Sequence, residues 1–202
     1  MPYTLNRLAA AVFFCLLFAL APYAQEKKER TIKKVFNFAE PVEIVEMQLG
    51  GQTIGLLDKV AADKGWLKTL TLKVKNVSGK PITYVEVGVT IPKSGLMEYP
   101  FLVPLTYGHR PLMPGEMSNA PAPKPIAPGH TVKLKIDDSM YDRLTNYLSE
   151  NQAEDVESIE LSDSLIYFED GTAWAHGQIL DRDPDNPRRW HVRRKKSGRT
   201  AE

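Results

Sequence analysis

Apolar and polar residues alternate along four segments in the middle of the chain, residues 42–49, 70–76, 82–91 and 131–137. A period of two with one polar face predicts strands that are half buried in an antiparallel sheet. The residues expected to face the core are the apolar members of each alternation: Val45, Met47, Leu49, Leu70, Leu72, Val74, Val85, Val87, Val89, Ile91, Val132, Leu134 and Ile136.

The clearest hairpin signal is Asp170 followed by Gly171, with "SLIYFE" before this pair and "TAWAHGQIL" after it. Such a pair is typical of a two-residue type I′ turn, which would place Tyr167 opposite Trp174. One face of the hairpin would then carry Tyr167, Trp174 and His176, and these three residues form a candidate ligand surface. The alternative is that this face packs into the core, because Ile159, Leu161 and Leu165 share its phase.

One helix is predicted over "DSMYDRLTNYLSEN", residues 138–151, with Ser139 as its N-cap. Its apolar residues recur at helical spacing and should cover one edge or end of the strands. They are Met140, Leu144, Tyr147 and Leu148.

Residues 109–130 contain six prolines and cannot form a central strand, because proline lacks a backbone donor. We expect an extended surface connection there. It either packs along the edge of a sheet or docks into an aromatic groove of a partner.

These elements predict a mainly β fold, namely a single antiparallel immunoglobulin-like β-sandwich of about seven strands with one short helix late in the chain. "VKNVSGKPITYVEVGV" followed by "IAPGHTVKLKI" resembles a pattern of exported bacterial immunoglobulin-like domains. The ending "IYFEDGTAWAHGQILDRDPDNPRRW" resembles that of uncharacterised exported proteins from soil bacteria, acidobacterial-like. The resemblance implies the fold and the compartment, and it lends no catalytic residue.

The beginning of the chain has the pattern of a secretory signal peptide. Arg7 precedes an unbroken apolar run of 14 residues, 8–21, whereas a membrane-spanning helix needs about 20. Cleavage is expected after Ala24, and an uncleaved anchor is the alternative. The mature protein would then be periplasmic or secreted and would contain no cysteine, because Cys15 lies in the apolar run. No transmembrane helix is expected after cleavage.

The predicted organisation is a signal peptide at 1–24, a charged linker at 25–34, the immunoglobulin-like domain at 35–192 and a basic disordered tail at 193–202. Charge is distributed unevenly along this chain, since residues 137–170 hold eleven acids and one base. Residues 188–202 hold seven bases and one acid, so the tail could make weak contact with an anionic surface. Aromatic residues do not interleave with these bases beyond Trp190, so nucleic acid is not an expected partner.

"DRDPDNPRRW" is the candidate metal site. Asp181, Asp183, Asp185 and Asn186 could direct oxygens at one calcium ion, which takes six to eight oxygen ligands. The match to an EF-hand loop fails at Asn186, the position where glycine is needed. The alternative is a type I turn with aspartate first and proline second.

No nucleophile elbow, zinc-binding HExxH, phosphate loop or dinucleotide fingerprint occurs, so we expect no enzyme and no cofactor apart from possible calcium. The expected function is a binding or structural role in the bacterial envelope, with an envelope protein or a glycan as partner. One alternative is a calcium-dependent adhesion or glycan-binding module. Another is an envelope enzyme with an unrecognised site, which an acid beside His109 or His130 would favour.

Overall fold

The computed structural model describes residues 27–55, 59–110, 121 and 123–193. Within them the protein is mainly β, with twelve strands, one short 3-10 helix and one α-helix. The signal peptide at 1–24 and the tail from residue 194 lie outside the described residues. The elements are β1 (Lys28–Val35), β2 (Val42–Leu49), β3 (Gln52–Ile54), β4 (Lys59–Ala62), the 3-10 helix (Trp66–Thr69), β5 (Leu70–Asn76), β6 (Ile82–Ile91), β7 (Phe101–Gly108), β8 (Thr131–Lys135), α1 (Asp138–Glu150), β9 (Ser158–Phe168), β10 (Ala173–Ala175), β11 (Gln178–Arg182) and β12 (Trp190–Val192).

The strands form two sheets, one of eight strands and one of four. The smaller sheet has the order β3-β2-β5-β8 and is antiparallel throughout. In the larger sheet, β9 pairs with β6, and β6 pairs with β7. β9 also pairs with β1 near its beginning and with β10 near its end, from which β11 and β12 continue the sheet. Apolar residues from both sheets belong to one hydrophobic core.

The predicted linker at 25–34 is wrong from residue 28 onwards, because β1 occupies Lys28–Val35. β1 pairs antiparallel with β4 and parallel with β9, so the larger sheet is not purely antiparallel as expected. The inward residues of β1 are Arg30, Ile32 and Lys34. Two of these three are charged, so the strand does not show the apolar alternation by which the others were predicted.

Strand number also exceeds the expected seven or so. Three of the twelve strands, β3, β10 and β12, have three residues each. A three-residue strand contains too few positions for a period of two to stand out from chance. The apolar alternation is confirmed in β5 and β6, where the predicted inward residues are buried.

The register shifts at three places in the described strands, and two of these shifts change a predicted side-chain phase. In β2 the register shifts between Ile44 and Glu46, and Val45, predicted to face inward, is 43% exposed. In β9 the register against β6 shifts near Ser164, so that Ile166 rather than Leu165 is buried beside the core. One extra residue in a strand moves all later side chains to the opposite face.

The hairpin at Asp170 and Gly171 is present, but its turn and its register differ from the prediction. Phe168 N donates to Thr172 O at 2.9 Å, and Gly171 has a φ of 82°. The loop therefore has three residues with glycine in the left-handed region, the next commonest hairpin type. As a result Tyr167 pairs with Ala173, and Trp174 pairs with Ile166.

The helix α1 is confirmed at the predicted place, and Leu144 on its apolar face is buried. Its N-cap is Asp137 rather than Ser139, because the Asp137 carboxylate accepts a hydrogen bond from Met140 N at 2.8 Å. Ser139 Oγ donates to the same carboxylate at 2.7 Å. Both bonds lower the pKa of Asp137, the one from Ser139 being the larger cause.

Candidate functional site

In the aspartate turn, residues 181–186, the carboxylates of Asp181 and Asp183 accept hydrogen bonds from protein donors. Asp183 Oδ1 accepts hydrogen bonds from the backbone N–H groups of Asp185 at 2.9 Å and Asn186 at 3.0 Å. Its Oδ2 lies 2.9 Å from Nε2 of His191. These contacts lower the pKa of Asp183, with the His191 hydrogen bond as the largest cause. Both carboxylate oxygens of Asp183 are thus already engaged by protein donors.

Asp181 turns to a different partner. Arg193 donates to it from Nε at 2.9 Å and from Nη2 at 2.5 Å, and this guanidinium lowers the pKa of Asp181. Arg193, expected in the disordered tail, is therefore paired within the fold. No group of three metal-ligating side chains occurs in the part of the chain that the structure describes. The calcium hypothesis stays a prediction, and this geometry does not favour it.

The structure does not bring Tyr167, Trp174 and His176 together on one face. Trp174 is 1% exposed and lies in the main core, as the alternative interpretation of the hairpin expected. Tyr167 belongs to a separate apolar cluster with Tyr84 and Ala173. His176 lies in the turn between β10 and β11 with a φ of 47°.

That separate cluster forms an aromatic row on the larger sheet. The ring centroids of Tyr84 and Tyr167 are 5.7 Å apart, and those of Tyr167 and Trp190 are 5.4 Å apart. The Arg182 guanidinium lies 5.3 Å from the centre of the Trp190 ring. Burial, together with the hydrogen bond that Tyr84 donates to Glu86 at 2.7 Å, raises the pKa of Tyr84. The rings cover one another, so they stabilise the sheet and do not form an open ligand platform.

A buried group of three charges lies where β1, the loop after it and β9 meet. Lys34 Nζ donates to Glu40 Oε2 at 2.7 Å and lies 3.5 Å from Asp163 Oδ2. Asp163 is 0% exposed, and neither of its carboxylate oxygens accepts a hydrogen bond within the described residues. Burial raises the pKa of Asp163 to about 7, although Lys34 opposes this shift. Groups with such perturbed pKa values are enriched at functional sites.

An open cleft of about 420 Å³ adjoins this charge group, and its lining includes Lys34, Glu40, Phe36 and Val77. We call residues 36–40 the Phe loop. Phe36 is 68% exposed and Phe38 is 81% exposed, although both are large apolar residues.

This region does not stand out in the sequence. Asp163 continues the core phase of Ile159 and Leu161 in a predicted strand, and that is the signal which was available. A charged residue at a core position is rare unless it is paired. Its partner Lys34 lies 129 positions earlier in the chain and could not be found from spacing.

The two histidines that could have marked an enzyme contact backbone carbonyls instead of acids. His109 Nε2 lies 3.3 Å from Pro121 O, and His130 Nδ1 lies 3.2 Å from Pro128 O.

Among the described residues no helix is long and apolar enough to cross a membrane. Family models, curated proteins and solved structures were compared with the chain, and none of the three comparisons found a match.

Proposed function

We propose that this is an exported, non-catalytic protein of the bacterial envelope that binds a partner protein through the Phe loop. The single observation that carries the proposal is the exposure of Phe36 and Phe38 in one loop, at the border of a cleft that Phe36 lines. We also infer an immunoglobulin-like sandwich, which the common core of the two sheets supports.

Exposed aromatic residues are a costly feature unless a partner covers them. Full burial of a phenylalanine side chain contributes about 1.5–3 kcal/mol, and aromatic residues are enriched where binding energy concentrates. Large apolar groups that stay exposed together mark interaction sites in soluble proteins. Phe36 and Phe38 fit this description because both are exposed in one short loop, which they share with the polar residues Asn37 and Glu40.

The Phe loop is held in place before any partner arrives. Asn37 N donates to Glu40 Oε1 at 2.6 Å, and Asn37 Nδ2 donates to Asp163 O at 3.3 Å. Lys34 fixes the other oxygen of Glu40. A loop fixed in one conformation loses less entropy on binding, which favours affinity.

The alternatives receive less support. A calcium-dependent adhesion or glycan-binding module would need free carboxylates in the aspartate turn, and Asp183 is engaged by protein donors. An enzyme could use the raised pKa of Asp163 in acid–base chemistry. That carboxyl is 0% exposed, so a substrate would have no access to it.

The test is affinity capture on three forms of the mature chain, from residue 25, using the envelope fraction of the bacterium that encodes it. The forms are wild type, Phe36→Ser with Phe38→Ser, and a control with Leu96→Ser and Tyr99→Ser, two residues that are equally exposed elsewhere. We expect a protein that the wild type and the control retain and that the Phe-loop variant retains at least tenfold less. Equal capture by all three forms would refute the proposal.

A further inference from the structure

A second, apolar cleft lies between α1 and the 3-10 helix. It has a volume of about 260 Å³, and residues 153–156 form part of its lining. Most of its wall is apolar, contributed by Trp66, Leu67, Leu144, Leu148, Ala153 and Val156.

The cleft stays open because α1 is attached to the rest of the protein at both ends. Near its beginning, Tyr141 Oη lies 3.4 Å from Gly65 O, and Gly65 has a φ of 78°. A Cβ at Gly65 would lie 2.6 Å from that hydroxyl, so only glycine allows this approach.

Near the end of α1, the Tyr147 ring stacks on Phe101 with centroids 4.5 Å apart. Directly after the helix, the backbone carbonyl of Asn151 accepts a hydrogen bond from Leu96 N at 2.8 Å. These attachments set the distance of α1 from the 3-10 helix, and the helix cannot collapse to fill the space between them.

The buried polar groups beside the cleft have partners within the protein. Arg30, which is fully buried, donates to the Asp155 carboxylate and to Val156 O. Trp66 Nε1 donates to the same carbonyl at 2.8 Å. Since Arg30 offsets the charge of Asp155, the remaining charges in the lining are one cation, Lys64, and one anion, Glu154. Their signs balance, so the cleft complements a molecule without net charge.

We propose that this cleft binds a neutral apolar small molecule of about the size of a substituted benzene ring. A cavity of roughly 150 Å³ lined by aliphatic and aromatic residues is enough to hold benzene. The larger volume here leaves room for a short alkyl substituent on such a ring. The ligand gains affinity by leaving water, because the wall has little polar surface that needs hydration. This site is separate from the Phe loop and does not rest on the function proposed for it.

The test is a titration of the mature protein with propylbenzene, followed by the indole N–H signals of its three tryptophans in nuclear magnetic resonance spectra. We expect a saturable shift of the Trp66 signal, with smaller changes at Trp174 and Trp190. Phenylpropylamine and phenylpropionate, which carry a charge on the same skeleton, should bind at least tenfold more weakly.

Three helix variants locate the binding. Thr145 is exposed and lines the cleft, whereas Asn146 is exposed and does not. Thr145→Phe should therefore weaken propylbenzene binding at least tenfold, and Asn146→Phe should leave it unchanged. Ser149→Phe fills the cleft from a second position and should act like Thr145→Phe.

Absence of a saturable Trp66 shift would overturn the proposal. So would equal affinity in Thr145→Phe and Asn146→Phe when circular dichroism shows both variants folded. Tighter binding of either charged analogue would refute the assignment of a neutral ligand.

Discussion

Asp163→Asn removes the buried carboxyl that faces Lys34, and its effect on stability should depend strongly on pH. In the folded protein burial raises the pKa of Asp163 to about 7, from an ordinary value of 3.8. Between these two pH values the folded state keeps a proton that the unfolded state has already released. The contribution of Asp163 to the free energy of unfolding of the wild type therefore falls as pH rises from about 4 to about 7.

The size of this effect follows from the width of the window. Each pKa unit corresponds to about 1.36 kcal/mol, so the full window amounts to roughly 4 kcal/mol. Asparagine carries no charge at any of these pH values, and Lys34 keeps its bond to Glu40. We expect Asp163→Asn to match the wild type near pH 4 and to exceed it by up to roughly 4 kcal/mol at pH 8.

The assay is urea denaturation of both proteins at pH 4, 5, 6, 7 and 8 at one ionic strength, followed by circular dichroism. The difference between the two curves reports Asp163 together with the titration of its neighbour Glu40, because the remaining titrating groups are common to both. Asp185→Asn, at an exposed aspartate, is the matched control and should give no such difference. A constant difference between wild type and Asp163→Asn across the series would refute the reasoning.

Three further changes should have measurable effects. Gly65→Ala should destabilise the protein by about 1–2 kcal/mol in urea denaturation, because residue 65 has a positive φ and a Cβ there would lie 2.6 Å from Tyr141 Oη. An unchanged midpoint would mean that α1 can shift freely. Arg30→Met leaves the largely buried Asp155 charge without its partner and should lower the free energy of unfolding by about 3–5 kcal/mol. Adding Asp155→Asn to the same chain should restore most of that stability; if it restores none, the loss comes from packing around Arg30. Calcium should leave the thermal midpoint unchanged because Asp183 is occupied by protein donors; a rise that Asp183→Asn abolishes would contradict this.

The sequence by itself determined the elements whose signals are local. The strands β5 and β6 and the helix α1 were predicted because period two and helical spacing are repeated over seven or more residues. The hairpin at Gly171 was predicted for the same reason, since a turn needs only a few neighbouring residues.

Tertiary structure alone decided the features that depend on distant partners. β1 is a strand although Arg30 and Lys34 point inward, because Arg30 pairs with Asp155, 125 positions later, and Lys34 pairs with Glu40 beside the buried Asp163. The bulge near Ser164 depends on how β9 pairs with β6, and it placed Ile166 rather than Leu165 in the core. Local periodicity records which face of a segment is apolar, but pairing between segments is a balance of packing and charge across the whole chain. The charge group at the Phe loop and the cleft beside α1 are both built from segments that are distant in the chain, so neither can be recognised from a single stretch of sequence.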